Sequence, residues 1–159
     1  MKALHLLSPA IIFILADCSN PDRSKLAHID ASLPASFNFN KMNVKVVSSS
    51  INERKSTMST LYGNAIAMQI LKNKEANQNG EVLALVTWKQ QEDKHWFGAR
   101  IPGKLLDVEV IKTTPGKSAG NPDINYQRFE GSKLILNTDT TGRSERIRYI
   151  LAQQPSVMP

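Results

Sequence analysis

EVLALVTWK, residues 81 to 89, restricts the fold more than any other stretch of the chain. Val82 to Val86 is an unbroken apolar run, too short for a buried helix and bounded by Gly80 on one side and QQEDK on the other. Successive side chains of a strand face opposite ways, so a strand apolar at every position is satisfied only where both faces of its sheet are covered. The run therefore predicts a central strand, and with it a sheet that carries packed material on both sides.

The remaining segments supply that sheet and its cover. MNVKVV (42 to 47) and TMSTLY (57 to 62) read as strands of an antiparallel hairpin joined by the polar SSSINERKS. Asn64 is placed as the N-cap of a helix over NAIAMQILKNKEA (64 to 76), with Ala67, Ile70, Leu71 and Lys74 on one face, stopped by Asn77 to Gly80. WFGAR (96 to 100) and LLDVEVIK (105 to 112) follow as strands. In the latter, Leu106, Val108 and Val110 are expected inward and Asp107 and Glu109 outward. After a Gly/Pro loop at 113 to 123, INYQRFE (124 to 130) and KLILN (133 to 137) are short strands, and TTGRSERIRYILAQ (140 to 153) is an amphipathic helix with Ile147, Ile150 and Leu151 on one face. The expected class is α+β: a mostly antiparallel sheet, one helix packed between early strands and one at the C-terminus.

Residues 1–17 resemble a secretory signal peptide, with Lys2 ahead of an apolar run shorter than the ~20 residues that span a bilayer. Its end, ILADCSN, resembles a bacterial lipobox, and Cys18 would then receive the lipid; a soluble periplasmic product cut elsewhere is the alternative. Residues 18–36, with Pro21 and Pro34, read as a polar tether, and 37–159 as the folded domain. The expected location is the periplasm, anchored to the membrane through Cys18. As the sole cysteine, Cys18 rules out an intramolecular disulfide and a CxxCH haem-attachment sequence in this chain. The formal charge of +6 is scattered rather than gathered, which fits solvated surface, and no nucleic-acid motif accompanies it. Protein partners leave no sequence signature.

Residues 84 to 103 concentrate Trp88, Trp96, Phe97, His95 and Arg100, and these are the candidate ligand- or cofactor-binding residues. If 96 to 100 is a regular strand, Trp96 and Phe97 point to opposite faces and one of them enters the core. His95 has no second donor at metal-ligand spacing, and no Ser/His/Asp order or phosphate loop is present, so no metal site or catalytic residue is assigned. Arg143, Arg146 and Arg148 do not share one helical face, so the expected state of that helix surface is solvated.

Across residues 59 to 112, the order of TLYGN, a helix containing Ala67, the strand start Gly80-x-Val82, and Trp96-Phe97-Gly98 resembles the cytochrome P-460 family of exported bacterial haem proteins. The resemblance implies a largely β fold, a c-type haem held by a C-terminal CxxCH, and in some members a lysine cross-linked to the haem. Here residues 113 to 159 contain neither cysteine nor histidine. Leu85 stands where the lysine would align, with Lys89 on the same strand face. The hairpin at 84 to 103 would form one side of the family's cavity. Two readings remain open: a small-ligand-binding or structural envelope module without covalent haem, and a noncovalent haem protein with His95 as ligand, acting on a small nitrogen compound or binding a gas.

Overall fold

A computed structural model describes residues 29–35, 37–116 and 121–156. Residues 1–28, which include the expected signal peptide and Cys18, lie outside the described residues. Six strands form one antiparallel meander in sequence order: β1 (Lys45–Asn52), β2 (Thr57–Gly63), β3 (Val82–Glu92), β4 (Arg100–Thr114), β5 (Asp123–Glu130) and β6 (Ile135–Asn137). Among the described residues three short α-helices accompany it, α1 (Phe39–Met42), α2 (Ala65–Asn73) between β2 and β3, and α3 (Arg143–Leu151), with a single 3-10 turn at Ile29–Ala31.

β3 lies third in the sheet, paired with β2 and β4, and Leu83, Ala84, Leu85 and Val86 are all buried. Its continuous apolar run is explained by two separate cores. On one face Leu83 and Leu85 pack with Leu61, Ile111, Ala67 and Leu71 of α2, and Ile150 of α3. On the other, Ala84, Val86 and Trp88 pack with Val108 and Val110 beneath Ala31, Leu33, Phe37, Phe39 and Met42. Burying each large aliphatic side chain contributes about 1.5–3 kcal/mol.

Asn64 explains how α2 is attached. Its Oδ1 accepts the Ala67 amide at 3.0 Å as an N-cap and also the Val82 amide at 3.2 Å, while its Nδ2 donates to the Gly80 carbonyl at 2.7 Å. One side chain thus starts the helix and fixes it to the first residue of β3. The helix ends at Asn73, earlier than its apolar spacing suggests. Lys74 is the left-handed C-cap and is exposed rather than on the buried face.

Two expectations are corrected. Residues 96 to 99 are not a strand: β3 and β4 are joined by a turn in which Asp93 bonds Ala99 at 3.0 Å, Ala99 bonds the Trp96 carbonyl at 3.0 Å, and Gly98 has φ +79°. Nor are Asp107 and Glu109 outward. Their side of β4 carries Ile111 and α3, so Glu109 is buried, and the bulge at Leu105–Asp107 opposite Thr87–Trp88 puts Leu105, not Leu106, in the second core. Residues 29–35, tether-like in composition, lie against the sheet because Trp88 Nε1 donates to the Ala31 carbonyl at 2.8 Å and Leu33 covers apolar surface.

Candidate functional site

The sheet face under α2 and α3 changes character along its strands. On β3 the same-side residues run Leu83, Leu85, Thr87, Lys89; on β4, Ile111, Glu109, Asp107; on β2, Leu61, Ser59, Thr57. The helices cover the apolar end and leave the polar end open. Strand register then aligns Ser50 with Ser59, Ser59 with Thr87, and Thr87 with Asp107, a row of hydroxyls ending in a carboxylate across four strands. Ser59 Oγ donates to Thr87 Oγ1 at 3.3 Å. This row floors a cleft of about 520 Å³ that is also lined by Asn52, Lys55, Arg128, Arg146 and Tyr149.

Two arginines and their carboxylate partners build its wall. Arg128 donates to Asp107 at 3.1 Å and lies 3.4 Å from Glu130. Arg146 of α3 grips Glu109 with both Nε, at 2.9 Å, and a terminal nitrogen, while the Tyr126 hydroxyl donates to the same carboxylate. Glu109 therefore stays buried with its oxygens engaged, and it pins α3 to the sheet. Burial, followed by the hydrogen bond to Glu109, pushes the Tyr126 hydroxyl pKa above the ordinary tyrosine range. Burial raises the Asp107 pKa, with the nearby Glu109 charge adding to it, and Arg128 and Thr87 offset part of the rise. The Arg146 guanidinium lies 4.9 Å from the Tyr149 ring centre, a cation–π contact at the cleft rim.

The residues singled out from 84 to 103 do not converge here. Trp88 is in the second core, on the opposite face of the sheet. His95 is exposed in the β3–β4 turn, its backbone amide bonded to Asp93 Oδ1 at 2.7 Å. Trp96 is 72% exposed and Phe97 fully so, which overturns the expectation that one of them enters the core: a turn does not alternate faces as a strand does. Arg100 pairs with Glu92 at 3.5 Å, both solvent-facing. Lys89 stands near the cleft, its ammonium donating to the Lys55 carbonyl at 3.3 Å, while Leu85 is core. Sequence reasoning singled out none of Ser50, Ser59, Thr87, Asp107 and Arg128 and placed Arg146 on a solvated face, since helical spacing shows which arginines share a face but not which strand carboxylate lies below.

The haem implied by the resemblance needs broad apolar surface against its macrocycle and an axial donor. The cleft offers Leu106 and Tyr149 among hydroxyls, amides and charges, and among the described residues no histidine, cysteine or methionine lines it. His95 is the one histidine among the described residues and it is not part of that lining. No group of three His, Cys, Asp or Glu side chains arranged for a metal occurs among the described residues. The lining of this cleft does not fit haem.

No curated protein matches the chain. Among protein families, residues 38–145 match Cytochrome P460, a span that takes in the sheet, α2 and the first residues of α3. That match covers well over half of the 159 residues, and the chain belongs to the cytochrome P460 family.

Proposed function

We propose that this chain is an exported envelope protein whose cytochrome P460 domain binds a small acidic ligand in the four-strand cleft, without covalently held haem. The row Ser50–Ser59–Thr87–Asp107 carries the reading, because it presents hydrogen-bonding groups on a rigid sheet at a place the helices leave open. Donors dominate the lining. Lys55, Arg128, Arg146 and Asn52 line it together with hydroxyls that adapt as donor or acceptor, against one carboxylate, Asp107, whose Oδ2 is engaged by Arg128. Export is supported by the apolar run ending in ILADCSN, with Cys18 as the lipid attachment point, and the absence of CxxCH from this sequence supports a domain without covalent haem.

A second reading, a noncovalent haem protein, is favoured by family membership. It would use a ligand remote from the cleft, His95 being the described histidine.

Two titrations separate these readings. Citrate and succinate, added at constant ionic strength, should raise the melting temperature saturably, and Lys55→Ala should weaken the apparent affinity about tenfold, as loss of one charge-assisted hydrogen bond implies. Identical responses of wild type and Lys55→Ala would remove the cleft as the site. Haemin should give no stoichiometric Soret band; a band that His95→Ala abolishes would establish the haem reading instead.

A further inference from the structure

The pairing of β3 with β4 outruns the rest of the sheet. β2 last pairs β3 at Thr57–Lys89, and β5 last pairs β4 at Asp107–Glu130, whereas β3 and β4 continue through Gln90–Pro102 and Gln91–Ile101 to Glu92–Arg100. Residues 90 to 103 therefore form a two-stranded arm with strand neighbours only in each other. At its end sit Trp96 and Phe97, which belong to neither core and are among the most exposed large apolar side chains described. Folding gains nothing by placing two adjacent aromatics there, and water penalises it.

The charges around the tip indicate what would cover it. From 89 to 104 the chain carries Lys89, Lys94, Arg100 and Lys104 against Glu92 and Asp93. In a meander the β1–β2 turn falls at the same end of the sheet, and Gln90 donates to the Ser56 carbonyl at 2.8 Å, which brings that turn alongside the base of the arm. Aromatic side chains at an apex with basic residues set back from it suit the headgroup region of an anionic bilayer: rings settle at the interface while lysines meet lipid phosphates.

We propose that the Trp96–Phe97 tip inserts into the interface of an anionic membrane and holds the domain against it, independently of lipid at Cys18 and of any ligand in the cleft. The test uses the full chain carrying Cys18→Ser, with vesicles of phosphatidylcholine alone or mixed with phosphatidylglycerol. Because Trp88 is buried, a change in tryptophan emission reports on Trp96. Emission should move to the blue with the anionic vesicles and less with neutral ones, and the shift should shrink as salt rises. Trp96→Ser/Phe97→Ser, with folding checked by circular dichroism, should weaken partition at least ~tenfold. Lys94→Glu/Lys104→Glu keeps both rings and should weaken it too. Unchanged emission, even in protein carried down by its N-terminal apolar run, would overturn the proposal. So would self-association, without a vesicle-induced shift, that the aromatic substitutions abolish, since the tip would then serve a second copy of the chain.

Discussion

Arg146→Met tests whether the Glu109 pair is what holds α3 to the sheet. The Glu109 side chain is 1% exposed and takes two contacts from Arg146 and one from Tyr126. Methionine keeps much of the methylene packing and removes only the charge and its donors, leaving a buried carboxylate with the Tyr126 hydroxyl alone. Stripping one partner from a buried pair costs about 3–5 kcal/mol. Arg146 is 36% exposed, so water reaches its side of the pair, and the loss should fall near the lower limit, about 2–3 kcal/mol. For a domain of this size that lowers the melting temperature by roughly 10 °C. Urea and thermal unfolding followed by far-ultraviolet circular dichroism measure both quantities. Adding Glu109→Gln to the variant should recover part of the loss, because a neutral amide needs no counter-charge. A loss under about 0.5 kcal/mol would refute the reasoning, since only a solvent-screened contact is that weak.

Glu81 provides a pH test. It is fully buried, neither carboxylate oxygen has a hydrogen-bond partner among the described residues, and burial raises its pKa. The folded state then holds the proton more tightly than the unfolded one, so the stabilising contribution is complete below the ordinary glutamate pKa and disappears as pH rises through the raised value. Glu81→Gln should therefore be more stable than wild type at neutral pH, with the gap closing on acidification. Melting curves at pH 4 and pH 7.5 check this, and a gap independent of pH would refute it. Trp88→Phe removes the bond to the Ala31 carbonyl and leaves a void in the second core, a loss of about 1–3 kcal/mol. Limited proteolysis should then cut residues 29–35 faster than in wild type, and equal rates would show that Trp88 does not hold that segment.

Much of the architecture was legible because its signals are local. Asn64 carries its capping chemistry in its own side chain, and the spacing of Ala67, Ile70 and Leu71 selects the buried side of α2. Local signals erred where a segment's environment lay elsewhere in the chain. WFGAR has strand-like composition, yet the positive φ of Gly98 and the Asp93–Ala99 closure make it a turn. Asp107 and Glu109 alternate as solvent-facing residues should, but Arg128 and Arg146 neutralise them from β5 and α3.

The sequence by itself determined that β3 lies deep in a sheet, because no other placement satisfies five consecutive apolar side chains; it also determined the two main helices and the antiparallel order that short polar turns allow. Only the tertiary structure decided what covers each face and where the cover stops. The cleft exists because register brings Ser50, Ser59, Thr87 and Asp107 level from four strands, with Arg146 and Tyr149 of α3 standing at its side rather than over it. Periodicity assigns a side chain to a face, but the neighbours it meets there are set by pairings between residues tens of positions apart, which no local pattern encodes.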